Sequence, residues 1–81
     1  MQQNKYVIVK VEDKQIPILF PDLIPHRKMA YGGKPVSAGF FGVKVADNKL
    51  SVWVYGDSET LHLSSRPEDS DIIEKFLLKQ S

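Results

Sequence analysis

The sequence predicts an α+β fold: an antiparallel sheet of about five strands with a C-terminal helix on one face, in the order β-β-short α-β-β-β-α. Three observations predict it. Residues 36–63 hold two tight-turn signals that independently give one consistent pair of sheet faces. Residues 5–11 alternate with the period of a strand. Residues 65–80 carry a helix-start signal followed by apolar residues at helical spacing.

The stretch from Val36 to Leu63 reads as a three-stranded meander. In VADNKL, Asp47-Asn48 lies between apolar-alternating flanks, and both residue types tolerate the positive φ of a two-residue hairpin turn. A turn there sets Ala46 opposite Lys49, Val45 opposite Leu50, Val43 opposite Val52 and Phe41 opposite Val54. On the other face Lys44 meets Ser51, Gly42 meets Trp53 and Phe40 meets Tyr55. An indole above a cross-strand glycine covers a backbone that has no side chain of its own. A second turn at Asp57-Ser58, after Gly56, sets Tyr55 opposite Thr60, Val54 opposite Leu61, Trp53 opposite His62 and Val52 opposite Leu63. A one-residue slip would send Leu61 and Leu63 to the face opposite Val52 and Val54. The expected aliphatic face is therefore Phe41, Val43, Val45, Leu50, Val52, Val54, Leu61 and Leu63. The expected aromatic-polar face is Phe40, Lys44, Ser51, Trp53, Tyr55, Thr60 and His62.

The remaining elements follow in order. Met1 to Asn4 is polar and expected to fray. Lys5–Val11 is a strand, with Val7, Val9 and Val11 on one face and Tyr6, Ile8 and Lys10 on the other. Glu12-Asp13-Lys14 turns the chain into a second strand, Gln15–Phe20. Pro17 has no amide hydrogen for a sheet ladder, so that strand should sit at an edge or pair only through its other groups. Its hairpin has two possible neighbours, Val36–Val45 or Thr60–Leu63. Leu23–Tyr31 reads as a short helix with Asp22 as cap, Pro25 in its first turn and Gly32-Gly33 as its stop. Gly39 and Gly42 suggest a bend or bulge. Ser65-x-x-Glu68 has capping-box spacing, with Pro67 in the first turn. Glu68, Asp69 and Asp71 complement the positive end of the last helix, and Lys75 and Lys79 the negative end. Its stripe of Ile72, Ile73, Phe76 and Leu77, continued by Gln80, should cover the aliphatic face.

Composition narrows the function classes. The 81 residues are expected to form a single domain, 1–81. The hydrophobic fraction of 42% and charged fraction of 26% are those of an ordinary soluble globular protein. A net charge of +1 gives no bulk attraction to nucleic acid or membranes. With no cysteine there is neither a disulfide framework nor a thiolate metal site, which favours the cytoplasm. MQQNK lacks the apolar segment of a signal peptide, and no apolar run reaches the roughly 18–20 residues of a membrane span.

No constellation of residues points to catalysis. His26 and His62 have no spacing that resembles a metal site. Gly32-Gly33-Lys34 is not a phosphate loop, because Pro35 follows the lysine. Ser37-Ala38-Gly39 lacks the glycine pattern of a nucleophile elbow. The acids are turn residues or helix-start residues. The chain is read as not an enzyme, with no cofactor, metal or small-molecule substrate.

Binding residues are easier to name. Phe40, Trp53 and Tyr55 should lie side by side, with His62 and Thr60 adjacent and Lys44 on the same face. Arg27 and Lys28, with His26 and Lys34, form a small basic group on the connecting segment. Three fates of the aromatic face stay open. Residues 21–33 fold across it and bury it; a protein partner or a second copy covers it, as aromatic interface cores are covered; or it stacks the bases of a single-stranded nucleic acid.

The segment ILFPDLIPHRKMAYGGKPVSAGFF, residues 18–41, resembles a pattern in short uncharacterised proteins carried by bacteriophages and prophages. The shared cues are a strand ending in Phe-Pro, the His and Met-Ala of the short helix, and Val36-Ser37-Ala38-Gly39-Phe40. The resemblance implies a bacterial cytoplasm and an accessory protein that acts by binding a host or phage partner. The expectation is thus a small non-enzymatic binding protein using Phe40, Trp53, Tyr55 and His62, alone or as a homodimer. The alternative is a single-stranded nucleic-acid-binding module using the same aromatics with Arg27, Lys28, Lys34 and Lys44.

Overall fold

The first two strands, β1 (Asn4–Val11) and β2 (Lys14–Pro21), form a hairpin whose turn is made by Glu12, at φ 57°, and Asp13. The computed structural model describes residues 4–80, for Gln80 the backbone only. The fraying expected over Met1 to Asn4 lies outside the described residues except at Asn4, which already belongs to β1. The chain continues through α1 (His26–Met29), β3 (Lys34–Ala46), β4 (Lys49–Tyr55), β5 (Asp57–Ser58), β6 (Leu63–Ser64) and α2 (Asp69–Gln80). The main sheet is antiparallel, in the order β2-β1-β3-β4, and β5 pairs with β6 in a separate two-stranded sheet. The first hairpin therefore joins β3 through β1. β2 is an edge strand, one of the two arrangements that Pro17 allows.

The β3–β4 register is the expected one at every pair from Phe40↔Tyr55 to Ala46↔Lys49. Asp47 at φ 52° and Asn48 at φ 62° make the turn. Two successive positive φ values match the twist of the flanking strands, which is why short polar residues occupy both positions.

Around β1 the sheet is covered on both faces. Tyr6, Ile8 and Phe41 pack with Ile73 of α2, joined by Val52, Val54, Ile72 and Leu77. On the opposite face Val7, Val9, Phe20 and Ala38 pack with Ile24 and Met29 of the 21–33 segment and with Leu61 and Leu63. The alternation of β1 thus feeds two cores, and at roughly 1.5–3 kcal/mol per large buried apolar side chain this strand is the main stabilising element.

Several local expectations are overturned. Residues 60–63 are not a third meander strand. Gly56, at φ 75°, turns the chain away directly after β4, and His62, at φ 56°, cannot be extended. Ser58 Oγ accepts the Leu61 amide hydrogen at 3.3 Å and rounds the β5–β6 turn. Leu61 and Leu63 consequently face the core opposite Val52 and Val54. Register decided that assignment, and a sharp bend between β4 and β5 cancelled it.

The bulge is not at a glycine: Ile8 pairs with Ser37 and Val9 with Pro35, which leaves Val36 as the extra residue. The short helix spans only His26–Met29, and its N-cap is Pro25 with no side-chain cap. Asp22 instead lies 3.5 Å from the Lys5 ammonium. The capping box at Ser65 does not form either. Ser65 Oγ donates to the Gly56 carbonyl at 2.9 Å, and α2 starts at Asp69. Of the helix stripe, Ile73 is fully buried and Ile72 and Leu77 pack around it; the place of the Gln80 side chain lies outside the described residues.

Candidate binding surface

β3 is 13 residues long, and its two halves have different neighbours. Lys34–Phe41 pairs with β1, whereas Phe40–Ala46 pairs with β4. Among the described residues, the sheet beyond Phe41 is two strands wide. These two strands project as an arm that ends in the Asp47-Asn48 turn. β4 is the edge of the main sheet, and none of its seven residues is buried.

One face of the arm is aromatic. The Trp53 indole lies flat over Gly42, so close that any Cβ there would collide with the ring. Trp53 is nevertheless 49% exposed, because its outer face has no cover. Tyr55 stacks on Phe40 with ring centroids 5.6 Å apart and planes 19° from parallel. Phe40 in turn meets His26 edge-on at 5.8 Å, and His26 meets Phe20 edge-on at 5.4 Å. The His26 Nε2–H donates to the Gly39 carbonyl at 2.9 Å, which fixes the ring of this buried histidine. Segment 21–33 therefore covers the Phe40 end of the aromatic face and leaves Trp53 and Tyr55 half in solvent. Leu23 of the same segment takes little part in this cover and is 83% exposed.

The opposite face of the arm is aliphatic and only partly roofed by α2. Phe41, Val43, Val45 and Leu50 line an open groove of about 560 Å³ against Leu77 and Leu78. Val45 is 69% exposed. The expected aliphatic face is thus core at its Phe41–Val54 end and surface at its tip.

The named binding residues do not all converge. Phe40, Trp53 and Tyr55 share the arm's aromatic face with Lys44, which pairs with Ser51 one step along that face from Gly42 and Trp53. His62 does not lie beside Trp53. It sits exposed in the β5–β6 turn, in a shallow depression with Asp57 and Glu59. Arg27 and Lys28 are exposed on α1, which packs over β1. Lys34 begins β3 beside Lys10, ten residues and about 33 Å of extended strand from Lys44. The basic residues therefore form no continuous stripe with the aromatics.

The most tightly held polar group was not visible from sequence spacing. Tyr6 Oη donates to Asp69 Oδ2 at 2.6 Å, and both residues are fully buried. The same carboxylate accepts the Arg66 amide at 2.9 Å and the Arg66 guanidinium at 2.8 Å. Burial, and then the adjacent carboxylate, push the Tyr6 phenol well above its usual range. Asp69 thus holds the turn that leads into α2 and clamps the start of the helix to β1. Its partner Tyr6 is 63 residues away, and no local pattern announces such a pair.

Among the described residues no group of three or more His, Cys, Asp or Glu is placed to hold a metal ion. No helix among them is long and apolar enough to cross a membrane. Compared with protein-family models, curated proteins and solved structures, the chain matches none.

Proposed function

We propose that this chain is a small non-enzymatic binding protein that engages a protein partner, or a second copy of itself, through the aromatic face of the β3–β4 arm. One observation carries the reading. Trp53 and Tyr55 are 49% and 40% exposed on an arm whose other face exposes Val45, so the arm presents apolar surface on both sides. Aromatic side chains held rigidly on a strand and left half-wet are what interface cores are made from. Gly42 holds the indole flat at no conformational cost to the bound state. In this reading the chain is a phage or prophage accessory factor of the bacterial cytoplasm, as the likeness of residues 18–41 implies.

The Trp53→Ser variant tests it. It should fold like the wild type and lose either self-association, seen by light scattering across a concentration series, or capture of its partner. A variant that unfolds would assign Trp53 to the core and remove the main support. Lys44 beside Trp53 favours a second reading, base stacking by a single-stranded nucleic acid. Phosphate contacts would make that binding fall steeply with salt and make capture sensitive to nuclease. The separation of Lys44 from Lys34 along β3 speaks for the protein partner.

A further inference from the structure

At the opposite edge of the sheet from β4, β2 and α2 enclose an open groove of about 470 Å³. Its apolar wall is Ile16, Ile72 and Phe76, and its charged lining is Lys14, Lys75 and Lys79, with no acidic side chain. Ile16 is 39% exposed, which is costly surface to leave wet on an edge strand. No carboxylate among the described residues pairs with any of the three lysines. Arg66 closes one end by donating to Gln15 Oε1 at 2.7 Å, but its charge is already met by Asp69 and Glu68.

We infer that this groove docks an acidic amphipathic helix of a partner protein. The chain as a whole carries only +1, so three unpaired cations around one apolar strip are a local feature and not a consequence of bulk charge. Lys75 and Lys79 stand one turn apart on α2, about 6 Å along its axis, while Lys14 comes from the other wall. A ligand with a single carboxylate would meet one side of that arrangement. Several acids flanking an apolar stripe meet all of it. Pro17 interrupts the row of amide donors on β2, so the segment seats by side chains in a groove and not by adding a strand.

The test uses the full chain and a fluorescein-labelled 14-residue designed helical peptide with leucines on one face flanked by glutamates. A sister peptide has every glutamate replaced by lysine. Anisotropy should show the acidic peptide binding the wild type, more weakly at about 0.3 M than at about 0.05 M salt. The triple variant K14E/K75E/K79E changes only exposed side chains, and its melting curve checks that it folds. It should lose about tenfold or more in affinity for the acidic peptide and gain affinity for the basic one. Trp53→Ser should leave acidic-peptide binding unchanged, which separates this groove from the arm. The inference is overturned if the acidic peptide does not bind the wild type, binds the triple variant equally well, or is lost with Trp53. Binding to phosphatidylglycerol vesicles without binding to the acidic peptide would overturn it in favour of an anionic lipid surface.

Discussion

β1 and the β3–β4 arm are built from similar material and end in opposite conditions. NKYVIVKV and KLSVWVY both alternate, and both are rich in β-branched and aromatic residues. In β1, Tyr6, Val7, Ile8 and Val9 are all buried, the first three completely. In β4 nothing is buried. The difference lies in sheet order. β1 has a strand on each side and a packed layer on each face, so both sets of its alternating residues leave water. Among the described residues β4 has one neighbouring strand and a partial roof. Burial is therefore a property of position, and a strand of core-like composition at the edge becomes a surface available to a partner. The two edges differ as well. β2 is guarded by Pro17, whereas β4 carries no proline and one charge, Lys49. Natural edge strands are usually guarded, and β4 is the less guarded of the two.

The largest effect expected from this comparison comes from removing the layer over β1. Deleting residues 70–81 takes away Ile72, Ile73, Phe76 and Leu77. Ile73 is fully buried, worth roughly 1.5–3 kcal/mol, and the other three are partly buried, so together they supply a large share of a small domain's net stability. The truncated chain should show no cooperative melt by circular dichroism. A sharp transition would mean that β1 is buried well enough without α2.

A smaller effect comes from the clamp that ties α2 to β1. Tyr6→Phe removes the 2.6 Å hydrogen bond to Asp69 but keeps the ring, and should cost about 1.5–3 kcal/mol in urea unfolding. It also has a pH signature. The phenol is held protonated in the folded chain and titrates near its ordinary value, about 10, in the unfolded one. Its contribution is complete below about pH 10 and declines as pH rises, at about 1.4 kcal/mol per unit, because only the unfolded chain releases the proton. Groups common to both proteins cancel in the difference, so Tyr6→Phe should lack that part of the alkaline decline. Equal slopes in the two proteins would show that the hydroxyl is not held as described.

What was legible in the sequence is what local chemistry decides. Asp47-Asn48 fixed the β3–β4 register, because a positive-φ turn and a two-residue period leave one alignment. Pro17 marked β2 as a candidate for the edge. What failed was decided at a distance or by a single backbone bend. Gly56 read as the residue leading into a tight turn at Asp57-Ser58, but the structure uses it to break away after β4; with it Leu61, Leu63 and His62 left their expected neighbours. Ser65 matched a capping box, but the Gly56 carbonyl competed for its hydroxyl. Asp69 read as one helix-start acid among three and is the buried hub of the clamp. Of the proposed surface, Phe40, Trp53, Tyr55 and Lys44 were legible because they lie on two strands joined by one turn. Arg27 and Lys28 were not placeable, since the seating of α1 depends on His26 between Phe20 and Phe40.

The smallest effect belongs to the tip of the arm and tests the other half of the comparison. Val45→Ala removes apolar atoms that are 69% exposed, so it should cost no more than about 0.5 kcal/mol, from lost strand preference alone. Ile8→Ala, the same kind of truncation at a fully buried site, should cost about 2–5 kcal/mol. Urea midpoints for the pair measure the contrast directly. If the Val45 cost approaches that of Ile8 and grows with protein concentration, the arm is covered in solution by a second copy, since only an association linked to folding makes stability depend on concentration. If it stays small at every concentration, the arm stands free in the isolated chain.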